Sequence, residues 1–247
     1  MYNDFAEVYD RLQDADYERF VDFYEQIFDK LGLKPELVLD MACGTGNITI
    51  PMAKRGYDMI GLDMSVEMLN IARDKAYEEG SDILFLCQNM CEMELFGTVD
   101  AIVCALDGVN YITDYEDLKH LFKLVQNYLN PGGTFIFDIN SVHKLKNILG
   151  NNTFVNDEQG IFYVWQSEFS EETQICDFGL TFFEEQEDGS YERFDEFQQE
   201  RAYTVDEICR AVKAADLDVT GVYKAFEFAT AADSDERIFF AVSKKMC

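Results

Sequence analysis

Leu37-Val38-Leu39-Asp40-Met41-Ala42-Cys43-Gly44-Thr45-Gly46-Asn47 is the stretch that decides the fold. Its first five residues form a short apolar run, the pattern of a strand buried on both faces. The residues after them are small, so the backbone can turn tightly and approach a ligand closely. Asn47 to Arg55 then reads as a helix closed by Gly56. Pro51 falls near its first turn, where a missing N–H does least harm. Strand, glycine loop and helix in that order open a βα unit, and in an open parallel sheet ligands bind at the carboxyl end of such a strand.

The same alternation continues downstream. Tyr57 to Leu62 is a second strand, and Ser65 caps a helix with Met68, Leu69, Ala72 and Ala76 on one face. Ile83 to Cys87 and Val99 to Ala105 are the third and fourth strands. Leu118, Leu121, Phe122, Val125 and Leu129 mark an amphipathic helix started by Thr113 or Asp114. Asn130-Pro131-Gly132-Gly133 makes a turn, and Thr134 to Ile139 is the fifth strand. Upstream, residues 1 to about 30 carry helical spacing (Phe20, Phe23, Tyr24, Ile27, Leu31), broken by Gly32 and Pro35. Alternating strands and helices call for a parallel sheet with right-handed crossovers and helices on both faces.

After Gly150 the rhythm changes. Ile161 to Phe169, Ile175 to Glu184 and Tyr191 to Tyr203 alternate and are rich in aromatics, with hairpin turns at Glu171-Glu172-Thr173 and Glu187-Asp188-Gly189. They predict a three-stranded antiparallel insert. Fourteen acids lie between Gly150 and Tyr203, opposed only by Arg193 and Arg201. Thr204 then caps a helix to about Ala215, and Asp218 to Phe228 and Ile238 to Ser243 return as an antiparallel pair. The expected architecture is α/β: a doubly wound, mostly parallel seven-stranded sheet from residues 1–149 and 204–247, with an antiparallel β lid from 150–203.

Composition narrows the function. The chain has 247 residues, 48% hydrophobic and 14% aromatic, enough for a packed core. No apolar run approaches the roughly 18 residues of a membrane span, and the acidic, aromatic start MYNDFAEVYD does not resemble a signal peptide, so a cytoplasmic location is expected. Seven cysteines, at 43, 87, 91, 104, 176, 209 and 247, include no CxxC pair and are read as reduced thiols. With only two histidines, no metal site is expected. The net charge is −28, from 48 acids against 20 bases. That argues against a nucleic-acid partner, whose phosphates need a basic face, and for neutral or cationic acceptors.

Three rival readings exist for the glycine loop: a dinucleotide site, a phosphate-gripping P-loop, and a tight turn with no ligand. A dinucleotide fingerprint needs a third glycine where this chain has Thr49, and a P-loop needs a Gly-Lys-Ser/Thr that is absent. Asp63, at the end of the second strand and about twenty residues on, can accept bonds from both hydroxyls of a ribose. Asp40 stands at the mouth of the first strand. Loop acid, ribose acid and missing third glycine suit a nucleoside without a 5′ diphosphate. S-adenosylmethionine (SAM) fits, since Asp40 or nearby carbonyls can receive its amino group.

These segments resemble the class I SAM-dependent methyltransferases. LVLDMACGTGNIT resembles motif I of that family, GLDMSVEML the ribose-binding segment, CQNM at 87–90 the segment beside adenine, and LNPGGTFIFDIN the late motif through the fifth strand. The opening helix, with Tyr2, Phe5 and Tyr9, resembles the one that closes over SAM in small-molecule methyltransferases. The LDxxNYI and FDINS patterns, here Leu106 to Ile112 and Phe137 to Ser141, match a bacterial subgroup with an antiparallel lid. The resemblance implies SAM contacts from Tyr9, Asp40, Ala42, Gly44, Gly46, Asn47, Asp63, Met64, Asn89, Met90 and Leu106. Three positions depart from the family pattern: Ala42 replaces a glycine, Asn89 replaces the adenine-side acid, and Phe20 stands where the subgroup often has Trp.

In this architecture the loop after the fourth strand lies beside the methyl group. Asp107 is the candidate base or amine-orienting carboxylate, and Asn110, Tyr111 and His143 are candidate acceptor contacts. Positioning and desolvation can supply most of the rate of methyl transfer, and a base is needed only if the acceptor must lose a proton. Tyr163, Trp165, Phe183 and Tyr203 are lid aromatics that pack on each other or on an acceptor. The expected activity is methyl transfer to a small molecule. A protein or RNA acceptor, a non-catalytic SAM-binding module and a nicotinamide-dependent dehydrogenase are the alternatives, the last disfavoured by Thr49.

Overall fold

The computed structural model describes residues 3–13 and 15–246. Helix α1 (Asn3–Leu12) and α2 (Tyr17–Leu31) precede an alternating series: β1 (Leu37–Met41), α3 (Thr49–Lys54), β2 (Asp58–Asp63), α4 (Val66–Glu78), β3 (Leu84–Cys87), β4 (Val99–Cys104), α5 (Tyr115–Tyr128) and β5 (Leu129–Asn140). Four strands follow, β6 (Asn152–Glu158), β7 (Ile161–Ser170), β8 (Ile175–Glu185) and β9 (Tyr191–Arg201). The chain ends with α6 (Val205–Ala214), β10 (Leu217–Lys224), β11 (Glu227–Thr230) and β12 (Arg237–Lys244).

The main sheet has the order β11-β10-β12-β5-β4-β1-β2-β3. Strands β3, β2, β1, β4 and β5 are parallel, and β12, β10 and β11 join antiparallel. From β1 the chain winds outward through β2 and β3, then returns to the other side as β4. That reversal opens a crevice beyond the carboxyl ends of β1 and β4. Val38, Leu39 and Met41 of β1 and the aliphatic and aromatic side chains at the centres of β4 and β5 are fully buried because helices cover both faces. Leu118, Phe122 and Val125 of α5 and Ile208 and Val212 of α6 pack on one face. Phe20, Phe23, Tyr24 and Ile27 of α2 pack on the other.

The caps follow the sequence. Ser65 accepts from Met68 N, Asp114 from Glu116 N, and Thr204 forms a capping box with Glu207. The Asn130–Gly133 turn appears as a jump in strand register. Val99 pairs with Leu129 and Ala101 with Thr134, so the residues between loop out of the ladder.

Four details differ from expectation. The N-terminal helical stretch is two helices, because Asp16 caps a new one by accepting from Arg19 N. The helix expected over Asn47 to Arg55 is confined to α3. The main sheet gains an eighth, edge strand: Asp218 to Phe228 divides into β10 and β11 at Ala225–Phe226, where Phe226 adopts φ 59°. The lid has four strands rather than three, in the order β6-β7-β8-β9. Strand β6, NTFVNDE, carries too little apolar alternation to announce itself. Its pairing with β7, Phe154 opposite Trp165 and Val155 opposite Val164, supplies what the segment lacks. Among the described residues no helix is long and apolar enough to cross a membrane.

Phe137 lies at the centre of this packing, fully buried and in ring contact with Phe122, Phe135 and Phe240. Phe137→Ala is expected to cost about 3–5 kcal/mol, read as a lowered midpoint of urea unfolding.

Candidate active site

The glycine loop leaves β1 by left-handed turns at Ala42 (φ 57°), Gly44 (φ 53°) and Gly46 (φ 80°). Gly46 also packs tightly, since a Cβ there would lie 3.3 Å from Ala72 Cβ and Ile50 Cδ1. Asp63, at the end of β2, holds the loop in place. Its Oδ2 accepts from Gly44 N and its Oδ1 from Ser65 N, each at 2.8 Å. Burial pushes the Asp63 carboxyl up, and those two amides counter the shift.

Asp40 is 1% exposed and accepts from Thr49 Oγ1 at 2.5 Å. Burial is the main cause that raises its carboxyl to about 7, with the Asp63 charge adding and Thr49 opposing. The hydroxyl of Thr49 thus supports Asp40 at the position a dinucleotide fingerprint gives to glycine.

Helix α1 closes over this loop. Asp10 accepts from Thr45 Oγ1 at 2.6 Å and Asn47 Nδ2 at 2.8 Å, and Lys75 of α4 bridges Asp10 and Asn47 Oδ1. Beneath the helix lies a cavity of about 1080 Å³, counted with its open mouth. Tyr9, Asp40, Ala42, Gly44, Asn47, Asp63, Met64, Asn89, Met90 and Leu106 line it. Sequence reading thus placed ten residues that the fold brings to one cavity. Gly46, the eleventh, sits behind the loop as a packing residue. The side chain of Asn47 is held by Asp10 and Lys75, and Asn89 Oδ1 already accepts from Cys91 N at 3.0 Å. Asn89 therefore caps the turn Met90–Glu92 as well as lining the cavity. Tyr2 lies outside the described residues, as does the side chain of Phe5.

A second cavity of about 1170 Å³, also counted with its open mouth, opens between this one and the lid. The two share Tyr9, Leu106, Tyr111 and Gln198. Asp107, Asn140, Lys144 and Arg237 line it from the core, and Tyr163, Trp165, Phe178, Phe182 and Glu200 line it from the inner face of the lid. Leu106 and Asp107 adopt φ 54° and 56°, and Asp138 stabilises that turn by accepting both their N–H groups at 2.9 and 3.1 Å. Arg237 pairs with Asp138 and, at 2.8 Å, with Asp107 Oδ1. Tyr111 donates to Gln198 Oε1 at 3.0 Å, so this expected acceptor contact joins the core loop to the lid.

Two expected acceptor contacts lie elsewhere. Asn110 is fully buried and lines neither cavity. Its amide bonds Asn140 N and O and Arg201 O, pinning the β4 loop to β5 and β9. His143 bonds Asn147 on the helical turn after β5 and also lines neither cavity. Of the lid aromatics, Tyr163 and Trp165 face the cavity. Phe183 packs with Phe162, across from Arg193, and Tyr203 is buried in the core, donating to Ile112 O. Sequence reading did not single out Asp138, Lys144, Glu200 or Arg237 as site residues. Only an acid inside the apolar strand TFIFDIN hinted at the first, because a buried carboxylate needs a buried partner.

Residues 38–133 match the family model described as a methyltransferase domain. YqeM of Bacillus subtilis (strain 168), which carries a methyltransferase name, is 33% identical over 99% of this chain and 97% of its own. A crystal structure of an S-adenosylmethionine-dependent methyltransferase from Clostridium acetobutylicum ATCC 824 is 36% identical, covers 99% of both chains and superposes with a TM-score of 0.91. SAM-bound CalS10 of Micromonospora echinaspora, an amino pentose methyltransferase, shares the fold at 17% identity and a TM-score of 0.75, over 99% of this chain and 98% of its own.

The raised carboxyl of Asp40 gives a signed pH effect. Its proton binds more tightly in the folded state than in the unfolded chain, where the carboxyl titrates near 3.9. Its contribution to stability is therefore lost as pH rises from about 4 towards 7. The stability of Asp40→Asn relative to the native chain, from urea unfolding at pH 5 and pH 8, is expected to be greater at pH 8. A difference independent of pH would contradict a protonated Asp40.

Proposed function

The chain belongs to the SAM-dependent methyltransferases, and on that premise we propose that it transfers the methyl group to a small-molecule acceptor seated under the four-stranded lid. The observation that carries this reading is the pair of cavities meeting at Tyr9, Leu106, Tyr111 and Gln198. One has the loop and the two acids that suit a nucleoside with an amino-acid tail. The other is roofed by the lid, of a size for a small molecule rather than a polymer.

The residues fit SAM on their chemistry. Asp63 keeps acceptor capacity for ribose hydroxyls beyond its two amide bonds. Asp40, buried beside the glycine loop, can receive the ammonium of the methionine portion. Met64, Met68 and Met90 offer apolar, polarisable contact beside the adenine position. SAM supplies a methyl group on a cationic sulfonium. The chain positions the acceptor and excludes water, with α1 above the donor cavity and the lid above the acceptor cavity. Asp107, one oxygen on Arg237, lines the acceptor cavity next to Leu106 and serves to orient the acceptor. The −28 charge and the acidic lid disfavour an RNA acceptor. The likeness to CalS10 supports an acceptor of amino-sugar size.

Titration calorimetry with S-adenosylhomocysteine should give micromolar binding, with none for NADH. Asp63→Ala should weaken that binding at least tenfold, or about 1.4 kcal/mol. Binding of NADH alone, or unchanged affinity in the variant, would overturn the cofactor assignment.

A further inference from the structure

Glu200 is the one carboxylate of the acceptor cavity that the described residues leave without an ion pair. It is 5% exposed and stands on the inner face of β9, two residues from Gln198, which borders both cavities. Its Oε2 accepts from Asn140 Nδ2 at 2.8 Å, while Lys144 Nζ bonds the other end of that amide, Asn140 Oδ1, also at 2.8 Å. Asn140 thus stands between the lysine and the acid. The other two acids of the cluster, Asp107 and Asp138, already share Arg237. Three acids therefore face two cations, and Glu200 is the one of the three that makes no ion pair among the described residues.

A buried acid without a cation is costly when ionised. Burial, aided by the Asp107 charge, holds the Glu200 carboxyl well above the usual range, and burial holds the Lys144 ammonium below its own. On the same inner face of the lid sheet stand Tyr163, Trp165, Phe178 and Phe182, an aromatic wall suited to an apolar body and to a cation over ring faces. Among the described residues the indole N–H of Trp165 has no partner.

We propose that the acceptor is an amine carried on an apolar body, and that Glu200 receives its ammonium and takes the proton that must leave before methyl transfer. This rests on the proposed methyltransferase reading and adds the class of acceptor. In the step, an N–H bond of the ammonium breaks and its proton passes to the Glu200 carboxylate. The freed nitrogen pair forms the N–CH₃ bond as the S–C bond of the donor breaks, its pair staying on sulfur. Glu200 then returns its proton to solvent. Asp107 differs in that one of its oxygens already accepts from Arg237.

The test is titration calorimetry at pH 7 with 2-phenylethylamine and its near-isosteric neutral analogue 2-phenylethanol. Both are added with and without saturating S-adenosylhomocysteine, in phosphate and in Tris. The groups that set the charge around Glu200 are Asp107 and Tyr111 after β4, Lys144 after β5, Arg237 of β12, Tyr9 of α1, and Tyr163 of β7 and Cys176 of β8 in the lid. An entering ammonium favours ionised Glu200, so the amine should release a proton, read as a heat that differs between the buffers. The amine should bind at least tenfold tighter than the alcohol. Glu200→Gln, which can still accept from Asn140, should abolish both the preference and the proton release, with its melting temperature and S-adenosylhomocysteine affinity unchanged. Equal binding of amine and alcohol, no amine binding, or a preference retained in Glu200→Gln overturns the proposal. If the variant fails to fold, the amine–alcohol contrast and the buffer dependence of the native chain still decide it. Loss of S-adenosylhomocysteine binding by the native chain would instead strike the cofactor reading, which the amine titration without it leaves separate.

Discussion

The ion pair between Asp138 and Arg237 is the constraint on which the two cavities depend. Asp138 is fully buried in β5, where a lone carboxylate could not remain charged. Arg237, from the antiparallel strand β12, supplies the countercharge, and the register of the two strands puts Asp138 opposite Phe239, two residues from Arg237. Asp138 then accepts the amides of Leu106 and Asp107, holding two consecutive left-handed residues that each cost on the order of 1–2 kcal/mol. That turn brings Leu106 to the wall shared by the cavities and Asp107 into the second. Removing either partner of the ion pair would strand a buried charge and release a strained turn together.

The cofactor side follows similar logic with different groups. Asp63 uses its two oxygens on backbone amides of the glycine loop and the α4 cap, so one carboxylate fixes the loop and helix entry together. Asp40 is braced by Thr49 and, among the described residues, makes no ion pair. Both acids sit at carboxyl ends of neighbouring parallel strands, where the reversal of strand order leaves an open crevice. Of the acids that burial raises, Asp40, Asp63 and Glu200 line the two cavities, whereas Asp138 and Glu196 line neither.

Polar bonds join the lid to the core at several points beside the Glu200–Asn140 bond. Asn110 bonds the carbonyl of Arg201, Tyr111 bonds Gln198, and Arg11 of α1 pairs with Glu184. Asn110 looked like a ligand contact in the sequence because a polar residue after a strand end often faces the crevice. Its role as a buried pin arises because both ends of its amide find backbone partners from separate strands. Glu200 was hidden for the opposite reason. In an acidic segment with thirteen other carboxylates, no spacing distinguishes the one that turns inward.

What the sequence by itself determined was the order of elements, the parallel sheet and the glycine loop with its two acids. These depend on short-range patterns: apolar runs, capping residues and small residues at a strand end. They sit close together in the chain, so local spacing carries the information. Only the tertiary structure decided which polar residues share a cavity. Arg237 is ninety-nine residues from Asp138, and Glu200 is sixty from Asn140. The fourth lid strand and the edge strand β11 likewise exist through partners remote or weakly marked in the chain. Such pairings are fixed by strand register and by the need of each buried charge for a partner, neither of which leaves a periodic trace in sequence.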